Sequence, residues 1–512
     1  MPTDSRSGDS EIEMDRQIER QENMPIKPGH STPFTWCLQQ LLTSCNVGEA
    51  TIDILPEDAL LTIFLLYGDV CSSDLSWWQP LVHVCRRWRR VIFASPRHLN
   101  LTLICTTRTP ARESLDIWPP IPIALRFTSY EWRGHNKNII AAMERPDRIT
   151  DIRLENLSTH NIEHLSRMME SPLPALISLS LRGCGLPHPL KDLVLRDMFL
   201  GGSAPSLRTL ILTYLQFPAL PKLLLSATQL VTLQLSWVPT LGDMSLQEIV
   251  TCLAALPKLK QLGITHPHKF PEPDQSLLPT RVVLPSLTSF YFYGISEHLA
   301  DFVAQIDAPM LQTLSLTLGS FIHIPQLLRF ISRAEKLKSP NRAAFVFEPS
   351  RLLLKFMPSD GSEFSTKKDV PFNQFITMIS LCLSLSPLLS HVERLDFHCN
   401  QISLSTQEFQ VVDPSLWLDL FRPFTAVQSL CVPKEVWPQV EPALRALTEE
   451  GATEVFPKLR TLFLEEPSEE DKKSIESLIS ARGLTVQPCT APYPIPSVNP
   501  LSLWDLHLRT LF

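Results

Sequence analysis

Two histidine pairs are the residues of this sequence whose type and spacing could bind a metal ion or move a proton. His160 and His164 stand four positions apart in HNIEH, so on a helix both imidazoles would lie on one face. The glutamate adjoins the second histidine, which departs from the HExxH pattern of zinc proteases, and a third ligand is not evident. His266 and His268 flank a proline in THPHKF, which favours a loop. We expect no metal and no other cofactor at either pair.

Sequence motifs of nucleotide-binding and hydrolytic enzymes are missing from this chain. It contains no GxGxxG, no GxxxxGK[ST] and no GxSxG. Glycine is scarce at 16 residues and proline abundant at 45, which removes most of the flexible loops that cradle phosphates. Because no motif groups a nucleophile, a base and an orienting residue, we expect that the protein is not an enzyme.

Four arginines surround a tryptophan in VCRRWRRVIFASP, residues 84–96, and such a run could contact nucleic acid. The whole chain argues against that use, because 46 Lys and Arg against 53 Asp and Glu give a net charge of -7. On a helical wheel one apolar stripe contains Leu81, Val84, Cys85, Trp88, Val91 and Ile92. The residues off this stripe are Arg86, Arg87, Arg89 and Arg90. We predict one helix whose arginines form a solvated face in its C-terminal half.

Cysteine usage and hydropathy indicate a chain inside the cell. The 11 cysteines include no CxxC pair, which is typical of a reducing compartment. Residues 1–48 begin with a polar stretch that lacks the apolar core of a signal peptide, so we predict a disordered segment. The longest uncharged stretch, residues 370–390, contains Asn373, Gln374 and Pro387 and suits a buried helix better than a membrane span. We expect a cytoplasmic or nuclear protein without a membrane partner.

A second helix is predicted upstream of the arginines, in IDILPEDALLTIFLLY at residues 52–67. Pro56 suits the first helical turn, and Glu57 and Asp58 would lie at the positive end of the helix dipole. Two or three such short helices cannot bury all their large apolar side chains among themselves. A partner or the following domain must therefore cover part of that surface.

Residues 52–98 resemble an F-box. The resemblance is carried by three elements in order: ILPEDALLTIFLLYGDV, the motif VCRRWR, and the SP that follows it. It implies a three-helix hook at residues 49–98 that docks on a Skp adaptor and so joins a cullin-based ubiquitin ligase. By motif position the resemblance implies adaptor contacts at Leu55, Pro56, Ile63, Phe64, Val84, Cys85 and Trp88.

Beyond residue 140 one phrase recurs, as in LPALISLSLRGCGL, APSLRTLILTYLQF and FPKLRTLFLEE. Its LxxLxL pattern starts at Ile149, Leu176, Leu207, Leu230, Leu259, Leu287, Leu311, Val392, Val427 and Leu459. The first seven starts are 27, 31, 23, 29, 28 and 24 residues apart, which is the period of leucine-rich repeats. Between 311 and 392 we predict strands in AAFVFEP and RLLLKFMP and an exposed loop over SDGSEFSTKKD.

These patterns predict an α/β protein in which a three-helix F-box precedes an irregular leucine-rich-repeat solenoid, or horseshoe. The solenoid would span residues 146–488, with capping strands and a helix at 99–145 and a tail or cap at 489–512. Each unit would supply one strand and one helix and bury its leucines against its neighbours. The chain then resembles the leucine-rich-repeat class of F-box proteins over most of its length.

Alternation along the LxxLxL strands predicts which side chains face a partner. The leucines point to the core, so the residues between them form the inner face of the horseshoe. The predicted inner face comprises Ser180, Arg182, Ile211, Thr213, Gln234, Ser236, Tyr291, Tyr293, Ser315, Thr317, Asp396 and His398. Among these we predict substrate contacts at Arg182, Tyr291, Tyr293, Asp396 and His398. With so little arginine, the face favours an unmodified peptide over a phosphorylated one.

The sequence therefore predicts the substrate-recognition subunit of a Skp-cullin-F-box ubiquitin ligase, with an unknown protein as its target. The alternative is a leucine-rich-repeat scaffold whose F-box-like helices only cap the solenoid. Binding to the Skp adaptor distinguishes the two hypotheses.

Overall fold

The computed structural model divides the chain into two compact units, residues 1–100 and residues 101–512. It describes residues 55–71, 76–106, 115–116, 118–128, 137–184, 193–266, 281–318, 325–348, 351–357, 363–368, 374–399, 413–446, 455–465, 476, 480 and 483–488. The predicted disordered segment 1–48 and the predicted tail 489–512 lie outside the described residues.

The described part of the first unit is helical. Its helices are α1 Glu57–Val70, α2 Gln79–Val82 and α3 Arg86–Ala94. Helix α1 begins directly after Pro56, with Glu57 and Asp58 in its first turn, as the sequence predicts. The α1 side chains Leu60 and Phe64 are buried, and Phe64 meets Trp88 of α3 edge-on, with ring centroids 4.9 Å apart.

The single helix predicted through Leu81 and Ile92 is wrong, because the chain breaks it between α2 and α3. Val84 and Cys85 lie in this break, and Cys85 is extended, with φ −154° and ψ 171°. Its Sγ accepts a hydrogen bond from the backbone N–H of Trp88 at 3.4 Å and so caps α3. Arg86 and Arg87 consequently lie in the first turn of α3, not in the C-terminal half of a longer helix.

The second unit contains one large sheet. Its strands are β1 Leu103–Cys105, β2 Ile123–Thr128, β3 Ile149–Leu157, β4 Ser178–Gly183, β5 Thr209–Thr213, β6 Thr232–Ser236, β7 Gln261–His266, β9 Ser289–Gly294, β11 Thr313–Leu318, β12 Arg342–Glu348, β13 Arg351–Met357, β14 Glu363–Lys368, β15 Arg394–Cys399, β16 Ser429–Val432, β17 Thr461–Leu464 and β18 Thr485–Pro488. The order begins at β1 and ends at β18, so the described sheet is open. Two further strands, β8 Val282–Val283 and β10 Ile306–Asp307, pair only with each other.

Helices alternate with these strands along the chain. They are α4 Lys137–Met143, α5 Thr159–Met168, α6 Leu220–Ser226, α7 Thr240–Asp243, α8 Leu246–Ala254, α9 Ser296–Gln305, α10 Pro325–Arg333, α11 Gln374–Ser384, α12 Ser386–Leu389, α13 Pro414–Phe421 and α14 Trp437–Ala446. Helix α8 begins with a capping box, because Ser245 and Glu248 exchange hydrogen bonds between side chain and backbone.

The recurring LxxLxL phrase locates the strands that contain it. Strand β3 begins at the first residue of its phrase. Each of the other strands that contain the phrase begins two residues after the first residue of the phrase, for example β5 at Thr209 after Leu207. The leucines of the phrase are buried, and most side chains between them, such as Ser180 on β4, are partly exposed, whereas Ser236, Thr265 and Asp396 are buried. Most neighbouring strands are parallel. The predicted α/β class is confirmed as a mixed fold with an open, mainly parallel sheet and many helices.

The stretch between Leu311 and Val392 forms an insertion in this parallel sheet. The two predicted strands are β12 and β13, but the predicted loop over SDGSEFSTKKD contains a third strand, β14. Strand β13 runs antiparallel to both neighbours, whereas β14 and β12 join the parallel strands β11 and β15. Phe364 is the only apolar residue of EFSTKK, so the sequence of this strand carries no alternation that could have predicted it.

Glycine at position 183 is required by a close approach of two backbones. A Cβ on Gly183, the last residue of β4, would lie 2.5 Å from the carbonyl oxygen of Tyr214 and 2.8 Å from Leu193 Cδ1. We expect Gly183→Ala to lower the free energy of unfolding by about 2 kcal/mol, because a backbone carbonyl cannot move aside cheaply. Chemical denaturation of the purified protein measures this loss.

Gly483 provides the matched control for this substitution. It has φ +65°, and a Cβ there would meet nothing within 4 Å, so alanine adds only the strain of the left-handed backbone. We expect Gly483→Ala to cost about 1 kcal/mol. If Gly183→Ala and Gly483→Ala lowered the free energy of unfolding equally, the result would contradict the clash at Gly183.

Candidate protein-interaction surfaces

An apolar stripe on α1 is exposed in the first unit. Ile63, Leu66 and Val70 lie three and four positions apart, which places them on one helix face. Their exposed fractions are 42, 61 and 76%, and Val84, in the break before α3, is 58% exposed. Large aliphatic side chains clustered in this way are typical of a surface that binds another protein.

The seven predicted adaptor contacts divide into exposed and buried residues. Pro56, Ile63 and Val84 are exposed, and Leu55, Cys85 and Trp88 are half-buried. Phe64 is only 1% exposed in the free protein, and its predicted adaptor contact stays a prediction. Motif position could not separate these roles, because a short helix uses adjacent apolar residues for its own core and for a partner.

The arginines of α3 hold the first unit together. Arg87 donates to the carbonyl oxygen of Leu55, and Arg89 Nε donates to the carbonyl oxygen of Val82 at 2.9 Å. Arg90 forms an ion pair with Glu57 at 3.0 Å. The predicted solvated face therefore also joins α3 to the start of α1 and to the end of α2. A helical wheel places residues around one helix only, so it could not predict these contacts between helices.

The predicted inner face of the sheet appears as rows of side chains that cross neighbouring strands. In one row Thr213 pairs with Ser236, Ser236 with Thr265, and Thr265 with Tyr293. Arg182 of β4 pairs with Thr213 of β5 and so extends the same row. The structure thus places two predicted substrate contacts, Arg182 and Tyr293, on one line across β4 to β9.

Tyr293 belongs to an aromatic row formed with Tyr214 and Trp237. Trp237 stacks on Tyr214, with ring centroids 5.9 Å apart and an interplanar angle of 24°. Trp237 also meets Tyr293, with centroids 6.0 Å apart at 42°. Tyr214 is buried, and Trp237 and Tyr293 are half-buried. Tyr214 and Trp237 were not predicted as site residues, because each directly follows its strand and so falls outside the LxxLxL alternation.

Both missed residues have left-handed backbone conformations. Tyr214 has φ 56° and Trp237 has φ 54°, which costs a bulky residue on the order of 1–3 kcal/mol. The N–H of Tyr214 donates to the carbonyl oxygen of Ser236, and that of Trp237 to the carbonyl oxygen of Thr265, both at 3.0 Å. Each of these hydrogen bonds extends the pairing of two parallel strands by one residue. The positive φ turns each ring towards the next strand. An aromatic residue in such a conformation is a recognised mark of a functional site.

Arg182 lies at the end of the aromatic row. Burial lowers the pKa of Arg182 from its ordinary value, and the nearby groups Glu155 and Tyr214 oppose that change. Burial also raises the pKa of Tyr214. A half-buried guanidinium next to aromatic rings combines charge with a flat apolar surface, which is a common arrangement at protein interfaces.

The inner face holds more arginine than the sequence analysis assigned to it. Arg126 of β2 pairs in register with Arg153 of β3, which pairs with Ser180 of the predicted inner face. Arg126 forms an ion pair with Asp151 at 2.6 Å, and Arg153 forms one with Glu155 at 3.1 Å. Strand β2 lacks the full LxxLxL phrase, so the pattern did not predict that Arg126 lies on the inner face.

Asp396 does not serve as a surface contact in this structure. It is 1% exposed, and its carboxylate accepts hydrogen bonds from Arg342 Nε at 2.5 Å and Arg394 Nε at 2.9 Å. The guanidinium of Arg394 also lies 5.2 Å from the ring centroid of Phe463. Arginines thus cover Asp396 in the free protein, and its predicted substrate contact stays a prediction. Strand alternation could not show that arginines cover the carboxylate.

The remaining predicted contacts, Tyr291 and His398, are both half-buried. Tyr291 lies two residues before Tyr293 on β9 and pairs with Gly263 and Ser315. His398 lies on β15, five strand positions from β9 in the sheet order, which corresponds to about 24 Å. One short peptide segment therefore cannot contact the aromatic row and His398 with adjacent residues.

Residue types that ligate metals do not cluster in the part of the chain that the structure describes. No group of three His, Cys, Asp or Glu residues there could hold a metal ion. His160 and His164 share α5, as predicted, whereas His266 ends β7 and was wrongly predicted in a loop; His268 is outside the described residues. Burial raises the pKa of the Cys105 and Cys252 thiols to about 11, which disfavours the reactive thiolate.

Hydropathy gives a separate result. Among the residues that the structure describes, every helix is too short or too polar to cross a bilayer.

Comparisons with known proteins assign no family to the chain. No family model and no curated protein matches it. Among solved structures, the crystal structure of the Rad7 and Elc1 complex in yeast aligns with 90% of this chain and 98% of that chain. The identity is 13% and the TM-score is 0.22. A likeness of this size assigns neither fold nor function, so any functional conclusion depends on the residues described above.

Proposed function

We propose that this protein is the substrate-recognition subunit of a Skp-cullin-F-box type ubiquitin ligase. The observation that carries the proposal is the exposed apolar stripe of α1, which lies within the segment that resembles an F-box. In this proposal residues 49–98 form the F-box, and the strand-helix units of the second unit are divergent leucine-rich repeats that form a solenoid. The target protein binds the sheet face that carries Arg182 and Tyr293.

Apolar burial would provide the binding energy at the adaptor surface. Ile63, Leu66, Val70 and Val84 together expose large aliphatic surface, and burial of each such side chain is worth roughly 1.5–3 kcal/mol when complete. The arginines of α3 contribute less to a partner, because Arg87 and Arg89 bind backbone carbonyls of their own unit. We therefore assign adaptor affinity to shape and apolar contact rather than to charge.

Ubiquitin transfer itself would belong to the partners. The protein would act without a cofactor inside the cell: its first unit recruits the Skp adaptor and through it the cullin, and its second unit presents a target.

Co-purification of the full-length protein with a Skp adaptor tests the proposal. We expect the double variant Ile63→Asp and Val84→Asp to retain less than a tenth of the adaptor, because two carboxylates would be desolvated at an apolar interface. Leu225→Asp is the matched control, since Leu225 is an exposed leucine of the second unit, and it should leave adaptor binding unchanged.

Two results would contradict the adaptor surface. The first is a wild-type protein that retains no adaptor, which would favour the scaffold whose F-box-like helices only cap the solenoid. The second is equal retention by the double variant and the control, which would move the adaptor contact elsewhere on the chain.

A further inference from the structure

We infer that the aromatic row of Tyr214, Trp237 and Tyr293 binds a proline-rich segment of the target protein in the polyproline II conformation. This inference rests on the proposed role of the second unit as the target-binding part of the receptor. It goes further, because it names the sequence type and the conformation of the segment that is recognised.

The three rings form a continuous aromatic surface across the sheet. Ring centroids are 5.9 Å apart between Tyr214 and Trp237 and 6.0 Å apart between Trp237 and Tyr293. The strand residues that precede or separate the rings have short side chains, namely Thr213, Ser236 and Thr265. A ligand on this part of the face would therefore contact Trp237 and Tyr293, whose side chains are half-buried.

The strands that carry the aromatic row lie in the interior of the sheet. Each of β5, β6, β7 and β9 pairs with a neighbouring strand on both sides. Their backbone N–H and carbonyl groups are used within the sheet, so a bound peptide cannot join here as an added strand. The peptide must bind through side chains of the inner face.

Two hydrogen-bond donors favour a ligand that carries unpaired carbonyl groups. Trp237 and Tyr293 meet across β7, and Thr265 of β7 lies in the row between them. Thr265 is 2% exposed, and its hydroxyl has no hydrogen-bond partner among the described residues. The indole N–H of Trp237 can donate a hydrogen bond but cannot accept one. A buried hydroxyl without a partner is costly, so a ligand oxygen at this place would remove that cost.

These donors distinguish between two ligand conformations that fit the ring spacing. A polyproline II helix rises about 3.1 Å per residue, so two residues cover the distance between ring centroids. Four residues of an α-helix, at about 1.5 Å each, cover it equally well. An α-helix uses its carbonyl groups for its own hydrogen bonds, whereas a polyproline II helix has no internal hydrogen bonds and offers its carbonyls to a partner. The donors therefore favour polyproline II.

Proline suits this surface because it presents an apolar ring and a carbonyl group but no N–H. Proline-rich segments also hold the polyproline II conformation before they bind, so they lose little conformational entropy. Grooves lined by aromatic side chains are the usual sites for such segments in other domains.

The backbone of the row is set in the free protein. Tyr214 and Trp237 have φ of 56° and 54°, and their N–H groups bond to carbonyl groups of the following strands. Rotation of the Trp237 side chain would admit a proline ring beside Tyr293 and uncover Thr265. Such rotamer changes are common at interfaces whose backbone stays in place.

Fluorescence polarisation of labelled peptides with the purified full-length protein tests the inference. The probe is Gly-Ser followed by six prolines and Ser-Gly. Its matched controls are the same peptide built with D-proline, whose helix has the opposite hand, and a version with alanine in place of proline. We expect the probe to bind at least tenfold more tightly than either control. Equal binding of either control, no binding by the wild-type protein, or stronger binding of single-stranded oligothymidine would overturn the inference.

Variants of the protein identify the site. Trp237→Phe keeps a ring but removes the indole N–H, and Thr265→Val keeps the side-chain shape but removes the hydroxyl. Each should weaken probe binding threefold or more. Thr265→Val should also keep the thermal stability of the protein, because no hydrogen bond of its hydroxyl to a described residue is lost.

Trp437→Phe is the matched control. Trp437, on α14, is 3% exposed, and its indole nitrogen also lacks a hydrogen-bond partner among the residues that the structure describes. We expect this variant to change probe affinity less than twofold. Unchanged affinity in Trp237→Phe and Thr265→Val, or an equal loss in Trp437→Phe, would contradict this site.

The two proposals fail separately. Adaptor co-purification depends on Ile63 and Val84 and uses no peptide, whereas probe binding uses no adaptor. Probe binding without adaptor binding would retain this site and reject the ligase. The reverse result would reject this site alone.

Discussion

Replacement of Asp396 by asparagine is expected to lower the free energy of unfolding of the second unit by about 3 kcal/mol. The carboxylate is 1% exposed and accepts hydrogen bonds from Arg342 and Arg394, which face each other on neighbouring strands. Asparagine can accept from one guanidinium but turns an N–H group towards the other. Two partly buried positive charges then lose the anion between them. Chemical denaturation followed by circular dichroism measures the loss.

A surface pair provides the control for Asp396. Asp419 contacts Arg422 at 3.2 Å, but both side chains are about half exposed to solvent. We expect Asp419→Asn to change stability by less than about 0.5 kcal/mol. If Asp396→Asn lowered the free energy of unfolding as little as Asp419→Asn does, other groups would have to neutralise Arg342 and Arg394. The buried carboxylate would then not organise this end of the sheet.

Replacement of Phe64 by alanine is expected to destabilise the first unit by about 3–4 kcal/mol. Its ring is 1% exposed and packs edge-on against Trp88, so its removal leaves a cavity between α1 and α3. The three helices described in this unit are short, and helices of this length bury little apolar surface that could offset the loss. Hydrogen exchange of the α1 amides in the full-length protein measures the effect, which should appear as protection lost throughout the helix.

Leu66→Ala is the control, because Leu66 lies two residues further along the same helix and is 61% exposed. We expect it to change exchange protection by less than about 0.5 kcal/mol while it still weakens adaptor binding. Similar losses of protection for the two variants would show that α1 is not organised around Phe64.

The strands of the second unit could be predicted from the sequence because their signal is local and repeated. Leucines at LxxLxL positions face the core in one unit after another, so Leu176 or Leu207 alone locates a strand within two residues. Arg182 and Tyr293 were placed on one face by the same alternation. The alternation of side chains along a strand does not depend on which strands become its neighbours.

The contacts that the sequence analysis missed depend on backbone geometry and on distant pairing. Trp237 reaches Tyr293 because its φ is positive, a conformation that residue type predicts only for glycine and asparagine. Asp396 is covered by Arg342, which is 54 positions away in the sequence. Cys85 caps a helix through sulfur, a weaker signal than the serine or aspartate usually found there. Tertiary structure determines each of these three contacts, so no local sequence pattern predicts them.

An open sheet of this length leaves two edges that could recruit strands from other molecules. At one edge β1 is only three residues long, Leu103–Cys105, and offers few free backbone groups. At the other, β18 ends in Pro488, which has no N–H to donate to an added strand. Short or proline-containing edge strands are how natural sheets resist edge-to-edge aggregation. The two edge strands of the described sheet therefore disfavour pairing with strands of other molecules.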